Sequence, residues 1–255
     1  MASVAEQLAS NISLSALKSA SELKKRIWFT ILALIVYRFG TYLPLPGIDL
    51  DALRQIFEQN QSGIIGVFNM FSGGAVGRMA IFSLGIMPYI TASIIIQLIV
   101  PVVPSLNYLK KEGGERGRRQ SNQYTRYSTV FLATIQAWGI AVGLEGATGV
   151  VSDPGLFFKI SAVITLVGGT IFLMWLGEQI SSRGVGNGIS LIITAGIIAN
   201  LPSAFVSTLQ LGRTGELSIA FILGILILIL LLIRFIVFVE KGQRRLPVQY
   251  PKRQV

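Results

Sequence analysis

The chain has 255 residues, of which 52% are hydrophobic and only 13% charged, with a formal net charge of +10. A soluble domain carries nearer a quarter charged residues, so this composition excludes one and describes an integral membrane protein built from several spans. Cysteine and histidine are both absent. That removes disulfides, thiolate metal sites, Ser-His and Cys-His catalysis, HExxH zinc sites and imidazole proton relays, and leaves no catalytic residue, metal site or cofactor to expect.

Residues 1–26 form a Ser/Ala-rich arm with no compact apolar region and no processing site, so no cleavable signal is expected. Six full spans follow. The sequence predicts them at Ile27 to Leu45, Met79 to Val100, Tyr127 to Leu144, Phe157 to Leu176, Gly188 to Val206 and Leu217 to Val239, each near the length a bilayer requires. The first ends at Pro44 and Pro46, and the sixth is apolar nearly all round. The chain thus divides into the arm (1–26), a portion holding five helices (27–206) and a sixth helix with a basic segment (207–255).

Between the first and second spans lies a false start. Gly63 to Phe71 (GIIGVFNMF) is apolar but reaches only about 13 Å as a helix, and Ser72, Gly73, Gly74 and Gly77 then break it. A half-length insert puts non-helical backbone at membrane depth, which is tolerated only inside protein or beside a water-filled cavity. A pathway through the membrane follows from that more readily than a simple anchor.

Basic residues set the orientation. Lys18, Lys24, Lys25, Arg26, Lys110, Lys111, Arg116, Arg118, Arg119, Arg126, Arg183, Lys241, Arg244, Arg245, Lys252 and Arg253 fall in one set of loops, and only Arg54, Lys159 and Arg213 in the other. The positive-inside rule then places both ends of this chain in the cytoplasm. Two basic stretches stand out there, Asn107 to Arg126 and Glu240 to Val255. Attraction to anionic membrane lipids accounts for such clusters; docking of an acidic or polyanionic partner does so equally. A basic, turn-containing segment after a strong span ordinarily leads into a further element, so the chain reads as an N-terminal fragment.

Helical arithmetic predicts a functional face on the second span. Met79, Ser83, Ile86, Ile90, Ser93 and Gln97 fall within an arc of about 80°, and Pro88 is expected to kink the helix at their waist. On the fifth span Ile189, Ile193, Gly196 and Asn200 share an arc of about 60°. Isoleucines one turn apart on two helices suit an apolar constriction that closes by dewetting, although ordinary helix packing also uses such residues. Arg38, Arg78 and Arg234 sit beside apolar segments, where snorkelling suffices for Arg234. Arg78, just after the glycine break, is the candidate charge at a pore mouth. Arg183 to Gly188 (RGVGNG) lacks nucleotide-loop spacing and reads as a tight turn with Asn187 capping the fifth span.

These motifs resemble the SecY family of bacterial protein-translocation channels. Phe68 to Leu98 (FNMFSGGAVGRMAIFSLGIMPYITASIIIQL) is similar to the family's plug and second helix, and Phe172 to Ile193 (FLMWLGEQISSRGVGNGISLII) to its fourth and fifth helices. Tyr37 to Asp49, Gly117 to Tyr127 and Lys241 to Arg253 resemble three further segments, in the right order. The resemblance implies an all-α polytopic bundle with a re-entrant half-helix, holding six of an expected ten transmembrane helices, in which residues 27–206 are the first half of an hourglass channel. It implies a pore ring containing Ile86, Ile90, Ile189 and Ile193. The plug would comprise about residues 63–74, with Gly63, Ile64, Ile65, Phe68, Asn69, Phe71, Gly73 and Gly74. The second and third helices would edge a lateral gate, and Lys241, Arg244, Arg245, Lys252 and Arg253 would form part of a cytoplasmic docking surface.

By the same resemblance the partners are the SecE and SecG subunits, the SecA motor ATPase, the ribosome, polypeptides bearing signal sequences, and membrane lipids, with no DNA. The setting is the bacterial inner membrane, where unfolded secretory chains cross and membrane segments leave laterally; the channel itself is not an enzyme. The competing reading is half of a secondary transporter with a broken-helix substrate site, but no acidic residue lies mid-membrane to couple transport. An intramembrane protease ranks third, lacking a His or an Asp pair.

Overall fold

The computed structural model describes residues 21–59, 64–104, 106, 114–147, 149–214 and 218–242. These form two compact units that divide between Asn200 and Leu201. Unit one holds seven described helices: α1 (Ser21–Gly40), α2 (Leu50–Gln59), α3 (Ile64–Phe71), α4 (Met87–Val102), α5 (Gly114–Gly146), α6 (Leu156–Arg183) and α7 (Gly188–Ile198). Unit two holds α8 (Leu201–Thr214) and α9 (Ile219–Glu240). No strand occurs among the described residues, only isolated antiparallel bridges joining Pro44 to Ala80 and Ile48 to Val151.

Among the described residues four stretches are long and apolar enough to cross a membrane: Arg119–Gly146, Leu156–Arg183, Gly188–Thr214 and Ala220–Glu240; Met87–Val102 is a shorter apolar helix. The protein is therefore a helical membrane protein, as composition required. In unit two, Ser218 caps α9 by accepting from Phe221 N at 3.3 Å. The candidate span within α9 buries none of its window, which suits a helix whose solvent is lipid.

The backbone of unit one is the α5–α6 hairpin. Ala133, Ala137 and Ala141 recur every four residues on α5 and are all fully buried, a small-residue stripe that lets helices approach closely. An ion pair closes each end of the hairpin. Arg126 donates twice to Glu178, at 2.9 and 2.7 Å, and Lys159 Nζ lies 2.6 Å from Glu145. Helix α6 also carries α7 through a glycine contact, Gly188 lying against the Gly177 carbonyl. The turn between them is built as expected: Asn187 Oδ1 accepts from Ile189 N at 3.1 Å and Ser190 N at 3.4 Å.

Some expected boundaries are corrected. The second span does not become helical at Met79. Residues 72–86 are a chain of turns, driven by left-handed backbone at Gly73, Gly74, Met79 and Gly85. Pro88 consequently does not kink a helix: it lies in the first turn of α4, where its missing N–H has no intrahelical partner to lose. Met79 and Ser83 therefore leave the predicted helical face, Ile86 becomes the N-cap residue of α4 rather than part of a helix, and Ser83 donates to the carbonyls of Ala75 and Ala80 instead of wetting a lumen. Helix α1 stops at Gly40, before the prolines. Helix α5 begins at Gly114, so part of the presumed basic loop is helical. The fifth span breaks at Ala199 and Asn200, and α2 was not anticipated.

Candidate closure site

Two apolar clusters fill unit one. The first gathers Leu45, Leu53, Met79, Leu84, Leu144, Val150, Phe158 and Leu166 around the α5–α6 turn. The second, with Tyr37, Phe82, Ile86, Leu173, Leu176, Ile180 and Ile192 at its centre, has Ile90, Ile189 and Ile193 packed against it. All four predicted ring isoleucines thus come together on one cluster, Ile86 buried at 5% exposure and the other three half-buried. Phe68 and Phe71 of α3 share with Ile86 and Ile193 a cavity of about 20 Å³, room for roughly one water.

The short helix α3 docks on α7 through glycine. A methyl group added at Gly196 would lie 2.8 Å from the Phe71 carbonyl oxygen, 2.9 Å from Tyr37 Oη and 3.2 Å from Gly73 N. Gly196 shares its helical face with Ile189 and Ile193, so one side of α7 presents both the isoleucines and the docking notch. Asn69 knits the end of α3 to the following turns: Gly77 N donates to its Oδ1 and Gly74 N to its backbone carbonyl, each at 2.8 Å.

Beyond the glycines the chain is anchored. Leu45 N donates to the Met79 carbonyl and Ile81 N to the Leu43 carbonyl, both at 2.9 Å. Phe82 then inserts between α1 and α6 in a ladder of rings. Its ring centroid lies 6.3 Å from Tyr37 and 5.8 Å from Phe172, and Trp175 is 5.8 Å further on. Gly40 and Gly169 make the room, since a methyl group on either would strike Phe82 or the Ile81 carbonyl.

Arg78 is not a free charge. Its Nε donates to the Thr41 carbonyl at 3.3 Å and its Nη2 to the Gly73 carbonyl at 3.1 Å. Arg38 donates to the same Gly73 carbonyl at 2.7 Å and to Tyr42 Oη at 2.8 Å. Both guanidinium carbons lie over the Tyr42 ring, at 4.8 Å for Arg38 and 4.2 Å for Arg78. Sequence reasoning picked out Arg78 but missed Tyr42, Tyr37, Phe82 and Phe172, whose roles depend on chain crossings that no local period encodes.

Of the remaining candidates, Gly63, Arg244, Arg245, Lys252 and Arg253 lie outside the described residues, as do the side chains of Ile64 and Ile65. Lys241 is exposed just past α9, its N–H on the Val237 carbonyl at 3.0 Å. Elsewhere in unit one, Tyr89, Asn122, Arg126, Glu178, Gln179 and Ile189 line an open cavity of about 560 Å³.

The site is thus a helix too short to cross a membrane, packed against the isoleucine cluster of the same helical unit. Comparisons with known proteins give its family. The SecY family model matches residues 80–255. The protein translocase subunit SecY of Rickettsia bellii (strain RML369-C) is 58% identical over 242 residues, covering 93% of this chain and 56% of that protein. The Escherichia coli (strain K12) protein of the same name is 54% identical over 243 residues, 94% of this chain and 55% of its own length. Among solved structures, one described as a protein conducting channel matches 68% of this chain and 36% of its own at TM-score 0.50 and 22% identity. Sec61 in the canine ribosome-channel complex from the endoplasmic reticulum matches 89% and 50% at TM-score 0.60 and 21% identity. Those two likenesses establish the fold. The chain belongs to the SecY family, and it spans about half the length of these two relatives.

Proposed function

We propose that this chain supplies one half of the wall, and the plug, of a protein-conducting channel in the bacterial inner membrane. Unfolded secretory polypeptides would cross through it and membrane segments would leave sideways between helices. The observation that carries the reading is the seating of α3. A helix of 8 residues, too short to span, meets the isoleucine cluster through Phe68 and Phe71 at a cavity of about 20 Å³. An apolar waist of that kind excludes water and ions while empty. Isoleucine side chains yield collectively around an extended chain, so passage needs no polar lining.

In this reading Ile86, Ile90, Ile189 and Ile193 form part of the ring, residues 63–74 the plug, and α4 and α5 one edge of a lateral exit. Both ends of the chain face the cytoplasm, where Lys241, Arg244, Arg245, Lys252 and Arg253 help to dock SecA or the ribosome; SecE and SecG are the companion subunits. Driving energy comes from those partners, and the chain itself carries out no chemistry. The test uses the full-length channel protein, this chain together with the further segments its relatives carry. Replacing all four isoleucines by serine is expected to raise resting ion conductance in planar bilayers, and unchanged conductance would remove the ring assignment.

A further inference from the structure

Resting on the plug reading above, we infer that the plug turns about a hinge at Gly73–Gly74 and is held shut by a two-arginine latch on the Gly73 carbonyl. The fixed side of the hinge begins at Ala75, which is fully buried. Its carbonyl accepts from Ala80 N at 2.9 Å and Ser83 Oγ at 3.0 Å. Residues 79–81 are in turn bridged to residues 43–45. Ala75 onward therefore cannot move without tearing this backbone pairing.

The movable side ends at Gly74. Ser72 N donates to the Phe68 carbonyl at 3.0 Å and Gly74 N to the Asn69 carbonyl at 2.8 Å, so residues 68–74 travel with α3. That side ends in two consecutive glycines with φ of 69° and 84°, the residues best able to absorb a change of backbone angle where it meets Ala75.

Neutral bonds cross the hinge from Gly77 N to Asn69 Oδ1 at 2.8 Å and from Val76 N to Ser72 Oγ at 3.2 Å, and the charged ones converge on one atom. Arg38, at the end of α1, and Arg78, on the fixed side, both donate to the Gly73 carbonyl, at 2.7 and 3.1 Å. Tyr37 adds a weaker bond to the Ser72 carbonyl at 3.3 Å. Two cations share that single oxygen, and neither has an acidic partner among the described residues. The Tyr42 ring beneath both guanidinium groups offsets their repulsion through its negative face. Swinging the plug outward pulls the carbonyl away and leaves the two arginines with Thr41, Tyr42 and water. Closure is thus set by donors outside the plug.

The geometry demands a planar fork. Arg78 reaches the Thr41 and Gly73 carbonyls together from Nε and Nη2, which a lysine ammonium on a flexible stem does not reproduce. The test is Arg38→Lys with Arg78→Lys in the full-length channel protein, read as resting conductance in planar bilayers. Both charges remain but the forks are lost, so conductance is expected to rise by roughly tenfold, the change that losing one charged hydrogen bond makes in a closed-to-open ratio. Wild-type conductance would overturn the latch and leave a simple mouth charge. If the double variant fails to accumulate in the membrane, Arg38→Lys alone is read by the same measure. Deleting Ile64–Phe71 in parallel separates the two levels: conductance unchanged by the deletion defeats the plug reading, whereas a leaky deletion beside tight lysine variants defeats the latch alone.

Discussion

Replacing Gly196 by alanine tests whether α3 is a separable body or part of the core. The added methyl group would sit 2.8 Å from the Phe71 carbonyl oxygen and 3.2 Å from Gly73 N, whereas carbon-to-oxygen contacts settle at about 3.3 Å or more. The two surfaces must part by about 0.5 Å at that point. Tyr37 Oη, already 3.3 Å from the Ser72 carbonyl, would then pass the useful limit of a hydrogen bond. Overpacking of this kind costs about 1–3 kcal/mol. If the plug is the side that yields, the cost falls on the closed state alone. The closed-to-open ratio then drops by roughly 5- to 150-fold, at 1.4 kcal/mol per factor of ten. Planar-bilayer conductance of the full-length channel protein should rise accordingly, while the melting temperature in detergent changes little. The opposite pattern, lower melting temperature with unchanged leak, would refute the reasoning, because α7 would then have yielded and the plug stayed seated. Gly168→Ala, on α6 with nothing within 4 Å of the added methyl, is the matched control and should be silent in both measurements.

Two further outcomes concern the frame. Asn187→Ala removes the side-chain acceptor for Ile189 N and Ser190 N and should cost about 1 kcal/mol, seen as a lower melting temperature with no change in leak. Glu178→Gln breaks the bidentate pair with Arg126 that ties α5 to α6. With the two side chains 49% and 33% exposed, a double-mutant cycle should find about 1 kcal/mol or less of coupling, shrinking as salt is added; a larger, salt-independent coupling would mean the pair is desolvated in the assembled protein.

Much of the fold was legible because membrane spans are long and apolar, and a bilayer allows few other structures. The isoleucine pair on α7 came directly from helical spacing, the Asn187 cap from an asparagine at a tight turn, and the half-length helix from the length of an apolar run before its glycines. The second span failed at its start for a physical reason. Met79 to Ile86 is as apolar as a helix would be, but its buried backbone bonds pair with residues 43–45 and with its own turns, a choice set by chain crossings rather than by composition. Gly85 and Pro88 were the available signals, a left-handed break followed by a residue suited to a first turn. The aromatic ladder of Tyr37, Phe82, Phe172 and Trp175 brings together residues up to 138 positions apart, and no single window contains it. The arginines were visible as charges beside apolar segments, but their shared acceptor is a backbone oxygen, which carries no sequence signature.

On the proposed reading, segment 41–49 lets the plug move without loosening the bundle. On one side it pairs with residues 79–81. On the other, Asp49 N donates to the Val150 carbonyl at 2.8 Å and Ser152 N to the Gly47 carbonyl at 3.1 Å, which ties it to the α5–α6 turn. Leu45 and Val150 are almost fully buried here. One short stretch of turns and bridges thus fastens residues 79–81 to the α5–α6 hairpin, itself closed by an ion pair at each end. None of these bonds involves residues 64–74. On the proposed reading, stability and closure are carried by different sets of contacts, the first by the 41–49 clasp and the α5–α6 core, the second by the Gly196 notch and the donors around Gly73. Substitutions in the two sets should separate in the same way, melting temperature responding to one and leak to the other.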